Sequence, residues 1–155
     1  MNRQQKNLII DILIIVVATS IAVSAMFTFK DWVNRNEAVR AVNHLGQLVL
    51  EYKNRYGSIP PQSYIDDVKN TLEGYVRVGD LQYRARWIDI DCSGDEILAY
   101  TEKFYHSPFS ASGYIVLRLN GRVEWMDVKD FKALLTKQQS PLEVAVTERK
   151  QTDGK

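Results

Sequence analysis

The chain of 155 residues holds one cysteine, two histidines and four prolines. A single cysteine, Cys92, excludes an internal disulfide and any cysteine-based metal cluster. It is left to be a small buried apolar residue or a thiol that pairs with another chain, and burial is the expectation. His44 and His106 cannot make a metal site alone. Excess charge of one sign is also lacking, with 20 basic against 19 acidic residues. No basic stripe with interleaved aromatics exists, so a nucleic-acid partner is not expected. The sequence has no Gly-rich phosphate loop, Gly74-Tyr75-Val76-Arg77-Val78-Gly79 being too irregular, and no HExxH, CxxC or GxSxG. Asp89, Asp91, Asp95 and Glu96 crowd around Cys92 without the sixth-position Gly and twelfth-position Glu of an EF-hand, and read as a solvated turn. Cys92 and His106 fall in separate loops with no orienting partner, which argues against a thiol nucleophile. The expectation is a protein that is not an enzyme, with no cofactor, no metal and no small-molecule substrate.

What is present is one long apolar run, Leu8 to Phe29, with a single acid, Asp11, near its start. It is about as long as the ~20 residues a helix needs to cross a bilayer. It exceeds the roughly 7–15 apolar residues of a secretory signal core, although Ala22-Val23-Ser24-Ala25 supplies small residues of the kind signal peptidase accepts. It carries no polar face, unlike a buried helix of a soluble domain. An uncleaved single span in the lipid bilayer is the expectation, with Lys6 and Lys30 at its ends and Trp32 as interfacial anchor. Arg3, Lys6 and the terminal amine precede the run without an acid. That favours a cytoplasmic amino terminus and an exported C-terminal domain. Asp11 is costly within a span, by roughly 2.5–3.5 kcal/mol near the helix centre, and is therefore a functional candidate. The alternative for it is a carboxylate near the head-group region, reached by tilt or protonated.

Helical spacing continues past the run. Ala38, Ala41, Val42, Leu45, Leu48, Val49, Tyr52 and Tyr56 form one apolar stripe. One helix is predicted over residues 7–56, ended by Gly57 and Ser58-Ile59-Pro60-Pro61. A short helix is expected over 62–72. Strands are expected at 75–78, along the alternation of Leu81, Tyr83, Ala85 and Trp87, and at 97–101. His106 to Ser112 reads as a loop. Asn120-Gly121 between two β-prone runs predicts a hairpin with a type I′ turn. Asp127 is placed to cap a helix whose Phe131, Leu134 and Leu135 face the sheet. The divisions are a short leader (1–6), a span (7–29), an α+β domain (30–137) that includes the helix continuation 30–56, and a mobile polar tail (138–155).

The segment Asn7-Leu8-Ile9-Ile10-Asp11-Ile12-Leu13 resembles the mature start of type IV pilins and type II secretion pseudopilins, with Asp11 at the fifth position where the family has Glu. Leu45 to Pro61, LGQLVLEYKNRYGSIPP, is similar to the pseudopilin stretch in which the long helix ends in a Tyr-Gly-x-x-Pro-type turn. Ile97–Thr101 and Tyr114–Met126, with His106 between, look like the C-terminal part of such proteins, where a His precedes an Asp-Gly turn. Here the turn is Asn-Gly and lies further from the His. Lys6 stands where the family's processing peptidase needs Gly, and Asn7 where an N-methylated Phe is usual. The resemblance implies a pilin-like fold, a bacterial inner-membrane location with a periplasmic head, and homo- or hetero-assembly through the span. In that family the acid pairs with a neighbouring subunit's free amine. The function it implies is structural, in a secretion or pilus-type system. The alternative is a membrane-anchored periplasmic binding module whose span is a passive tether.

Overall fold

The computed structural model describes residues 3–105 and 111–146. The fold is α+β. Helix α1 runs without a break from Arg3–Tyr56, which at 1.5 Å per residue makes a rod roughly 80 Å long. Gly57 ends it in the left-handed conformation, with φ 66°, and its N–H donates to Lys53 O at 2.8 Å. None of the apolar window in the first half of α1 is buried within the chain. Helix α1 is the one helix among the described residues that is long and apolar enough to cross a membrane. The second half carries a small domain, here called the head, through Ala38, Ala41, Val42, Leu45, Gly46 and Val49, all buried. Tyr56, placed on the same stripe by spacing, is 61% exposed because the helix outruns the sheet there.

Helix α2 spans Gln62–Lys69. The sheet follows as a meander of four antiparallel strands in the order β1-β2-β3-β4: β1 Leu81–Tyr83, β2 Ile97–Lys103, β3 Gly113–Arg118 and β4 Val123–Asp127. Helix α3, Val128–Gln138, comes next, and residues 141–146 add a last helical turn. The two faces of the sheet bury different partners. Leu98, Ala99, Ile115, Leu117 and Leu119 pack with α1, Ile65 and Val78. Ile97, Tyr114 and Val116 pack with Phe131 of α3, against which Leu134 and Leu135 also lie. A register shift between Ile97 and Ala99 marks a β-bulge. It lets Ile97 point to the α3 side while both Leu98 and Ala99 join the α1 side.

Several local expectations change. Residues 75–77 form a 3-10 turn rather than a strand, because Arg77 N and Val78 N bond back to Gly74 O and Tyr75 O. The strand starting at Leu81 stops at Tyr83. Arg84 leaves the extended region, at φ −106° and ψ 8°, and Ala85–Trp87 is again a 3-10 turn. The β3–β4 hairpin is present, but its turn is not type I′, since no non-glycine among the described residues, Asn120 included, has positive φ. Gly121 N bonds Arg118 O and Arg118 N bonds Arg122 O. This is a three-residue loop in which a type I turn is followed by one left-handed residue, Gly121, at φ 81°. The longer loop lets Leu119 turn inward to full burial while its N–H donates to Glu96 O at 2.9 Å. Asp127 occupies the N-cap position of α3 without a side-chain cap bond. Cys92, expected buried, is exposed, on a loop that the hairpin tip touches through Asn120 N and Gly94 O. Residues 138–146, read from sequence as the start of the polar tail, pack on the head, and Glu143 is 2% exposed. Residues 147–155, and His106 with the rest of 106–110, lie outside the described residues.

Candidate functional site

The bare half of α1 presents Asp11 on a face shared with Ala18, Ala22 and Ala25. Steps of seven, four and three residues return to one side of a helix. Ala38, Leu45 and Val49, which hold the head, come round about half a turn away from Asp11. The carboxylate and the head therefore point to opposite sides of the rod. Beside that face, and sharing Ala25 with it, Ser20, Ser24 and Thr28 with Ile21, Phe29 and Trp32 line a shallow trough. The hydroxyls of Ser20, Ser24 and Thr28 bond internally to Val16 O, Ser20 O and Ser24 O, at 2.8, 2.8 and 3.0 Å. Their short side chains present an apolar surface that another helix can approach closely. Lys6 and Lys30 stand at either end of the apolar segment and both are exposed. Trp32 is 60% exposed and lies 6.1 Å from Phe29, ring to ring.

Where α1 leaves the apolar segment, it meets the head. The Arg35 guanidinium sits over the Trp125 ring, 4.0 Å from its centroid, and Tyr105 stacks on the same Trp125 at 5.9 Å. Burial holds the Tyr105 hydroxyl above its ordinary range, while Arg35 pulls it down and Asp31 pushes it up. Tyr105 Oη and Asp31 Oδ2 are buried oxygens without a hydrogen-bond partner.

A second concavity, of about 1180 Å³, lies on the α3 side of the sheet between β1, β2 and the segment after α3. Gln82, Tyr100, Glu102, Phe104 and Tyr114 line its floor, and Lys132, Leu135 and Val144 its wall. Tyr114 Oη donates to Glu102 Oε1 at 2.7 Å. At its base is a buried ion pair. Arg84 Nε donates to Glu143 Oε1 at 2.6 Å and Nη2 to Oε2 at 3.0 Å. Arg84 Nη1 donates to Ile97 O at 2.7 Å, and Nη2 donates also to Gln138 O at 3.2 Å. Sequence reasoning missed this pair. Arg84 sits on an alternating strand pattern as an outward polar residue, and Glu143 lies in a stretch with no period. Only the oddity of a lone acid between Leu142 and Val144 hinted at burial.

The structure does not bring the remaining candidates together. His44 is exposed on α1, and Cys92 is exposed on its own loop. Among the described residues no three His, Cys, Asp or Glu side chains gather closely enough to hold a metal ion. No family model, characterised protein or solved structure matches the chain.

Proposed function

We propose that the chain is a single-pass, pseudopilin-like assembly protein of the bacterial inner membrane. Its amino terminus lies in the cytoplasm and its head in the periplasm. It works by packing its apolar helix against neighbouring helices as a structural part of a secretion or pilus-type system. The observation that carries this reading is the division of α1. One uninterrupted helix is bare over its apolar half and bound to an antiparallel sheet over the other. A passive tether needs neither an acid inside the apolar segment nor rigid continuity into the head. Asp11 lies three residues in from Leu8, so it costs less than the roughly 2.5–3.5 kcal/mol of an acid at the helix centre, but it still costs unless something pairs with it. A cation from an adjacent helix offsets that cost, and the face opposite the head leaves room for that helix.

The test is Asp11→Ala in the full chain, extracted in mild detergent with a differently tagged copy and its membrane partners. Co-purification falls while the denaturation midpoint of the head stays in place. Undiminished co-purification overturns the reading. The groove beside Arg84 favours a second reading, a tethered binding module. In that case a head beginning near residue 31 captures its ligand as well as the full chain does, and Asp11→Ala has no effect.

A further inference from the structure

We infer that the membrane-proximal end of the head rests on the bilayer surface, with Phe104 and Val76 as apolar contacts beside Trp32. This rests on the reading of residues 8–29 as a span. Contacts with α1 order the head along the rod. At the far end, Gly121 lies against Leu50, and Gly46 against Leu117. From there β2 descends toward the span. Its continuation, Tyr105, stacks on Trp125 beneath Arg35 and lies within the electrostatic reach of Asp31. Asp31 directly follows Lys30. One to five residues beyond Lys30 correspond to about 2–8 Å of rise. The polar layer of each leaflet is about 5–8 Å deep. The end of β2 therefore emerges at head-group depth, and its Phe104 is 70% exposed.

The 75–77 turn arrives a few ångström farther from the span. Arg77 Nε donates to Glu37 Oε2 at 3.2 Å, and a Cβ on Gly74 would lie 3.2 Å from Glu37 O. Glu37 stands about 10 Å above Lys30, just past the ~5–8 Å polar layer, so Val76 is placed against the outermost head groups and Phe104 deeper. Val76, at the middle of this turn, is 92% exposed. Lys103 Nζ donates to Arg77 O and Val78 O, which ties the end of β2 to the turn. Two highly exposed apolar side chains on linked segments at the foot of a domain fit the head-group boundary of a bilayer, where aromatic and apolar groups gain from partial burial. The far end offers an internal contrast. Cys92 is exposed on the loop bonded to the hairpin tip.

The experiment uses the full chain in vesicles of phosphatidylethanolamine and phosphatidylglycerol. A nitroxide is attached at Phe104→Cys, Val76→Cys or Val17→Cys, each in a Cys92→Ser background, or at native Cys92. Power saturation compares access of oxygen, which partitions into lipid, with access of a water-soluble nickel chelate. The labels at 76 and 104 are expected to show an oxygen-to-nickel ratio at least threefold above that at Cys92, with position 17 higher still. A ratio at 76 and 104 equal to that at Cys92, with position 17 reading as lipid, overturns the proposal and leaves the span intact. A wet position 17 overturns the span and the proposal together.

Discussion

Glu143→Ala removes one partner of a buried ion pair and leaves the other without its counter-charge. Arg84 and Glu143 are 3% and 2% exposed, and two short bonds join them in parallel. Such a pair contributes little against two well-packed apolar residues, but breaking it from one side costs about 3–5 kcal/mol. The cost here belongs at the low end, about 3 kcal/mol, for a structural reason. Arg84 keeps its bonds to Ile97 O and Gln138 O. The segment 141–146 holds few other buried side chains, so it can lift off and admit water to the guanidinium. At ~4 °C per kcal/mol for a domain of this size, the midpoint of the head falls by about 12 °C. The assay is thermal denaturation of the full chain in detergent, followed by near-ultraviolet circular dichroism, which reports the packed aromatics around Phe131. Arg84→Met combined with Glu143→Leu should recover the part due to the unpaired charge and stay about 1–2 kcal/mol below the parent, because Ile97 O and Gln138 O lose their guanidinium donors. A loss below ~1 kcal/mol for Glu143→Ala refutes the burial argument. A double variant as damaged as either single variant shows that shape rather than charge set the cost.

Three further outcomes follow from the same geometry. Gly46→Leu should destabilise the head by about 1–3 kcal/mol in denaturant titration, since even a Cβ at this position falls 2.9 Å from Leu117 Cδ1 and 3.1 Å from Gly121 O; a neutral result would mean that α1 and the hairpin are not in close contact. Burial raises the hydroxyls of Tyr83 and Tyr114 far above their ordinary value of 10.0. The folded state then holds protons that the unfolded chain releases above pH 10, so the contribution of these two hydroxyls is full below pH 10 and is lost as the pH rises past it. Burial lowers Lys103 and works the other way, while Tyr75, Tyr100 and Tyr105 are raised as well and add to the loss. Tyr83→Phe and Tyr114→Phe should flatten the alkaline limb of a stability–pH curve, and an unchanged slope would remove these hydroxyls as its cause. Mass spectrometry of the membrane-extracted chain fixes the mature amino terminus: a start at Asn7 places a free amine four residues from Asp11 and supports the pilin-like pairing, whereas a start at Met1 or Asn2 removes it.

The parts of the fold visible in the sequence are those set by local pattern. The long helix follows from three- and four-residue spacing through Val49, with Gly57 and the Pro60-Pro61 pair to stop it. The β3–β4 hairpin follows from Asn120-Gly121 between β-prone runs. What escaped was set by contacts distant in sequence. The turn type was decided by Leu119, which the core and Glu96 draw inward, and this overrides the preference of Asn-Gly for a tighter loop. The strand at 81–87 was cut short where Arg84 turns in to meet a carboxylate 59 residues later. Alternation along a strand reports which face a residue takes, but not whether a polar residue on that face is covered by a segment from elsewhere. Trp125 could be read as a sheet-face residue, yet its role as the surface on which Arg35 and Tyr105 converge needed the meander to be folded against the helix.

The rigidity of α1 links the two ends of the molecule. No glycine or proline interrupts it between the apolar segment and Gly46, and at Gly46 the missing side chain serves close packing rather than bending. A helix without a hinge fixes the rotation of Asp11 relative to the head. Asp11 and the packed stripe of Ala38, Leu45 and Val49 therefore stay about half a turn apart. That separation matters under the assembly reading. A neighbouring helix that pairs with Asp11 lies on the side away from the head, so association in the bilayer does not force two heads into one space. Had the acid shared a face with Ala38, pairing would push the partner helix toward the sheet, where its continuation would compete with Leu117 and Leu119 for the same surface. The bare face, the lone acid and the unbroken rod thus favour the same side for a partner. A flexible tether would carry none of that directional information.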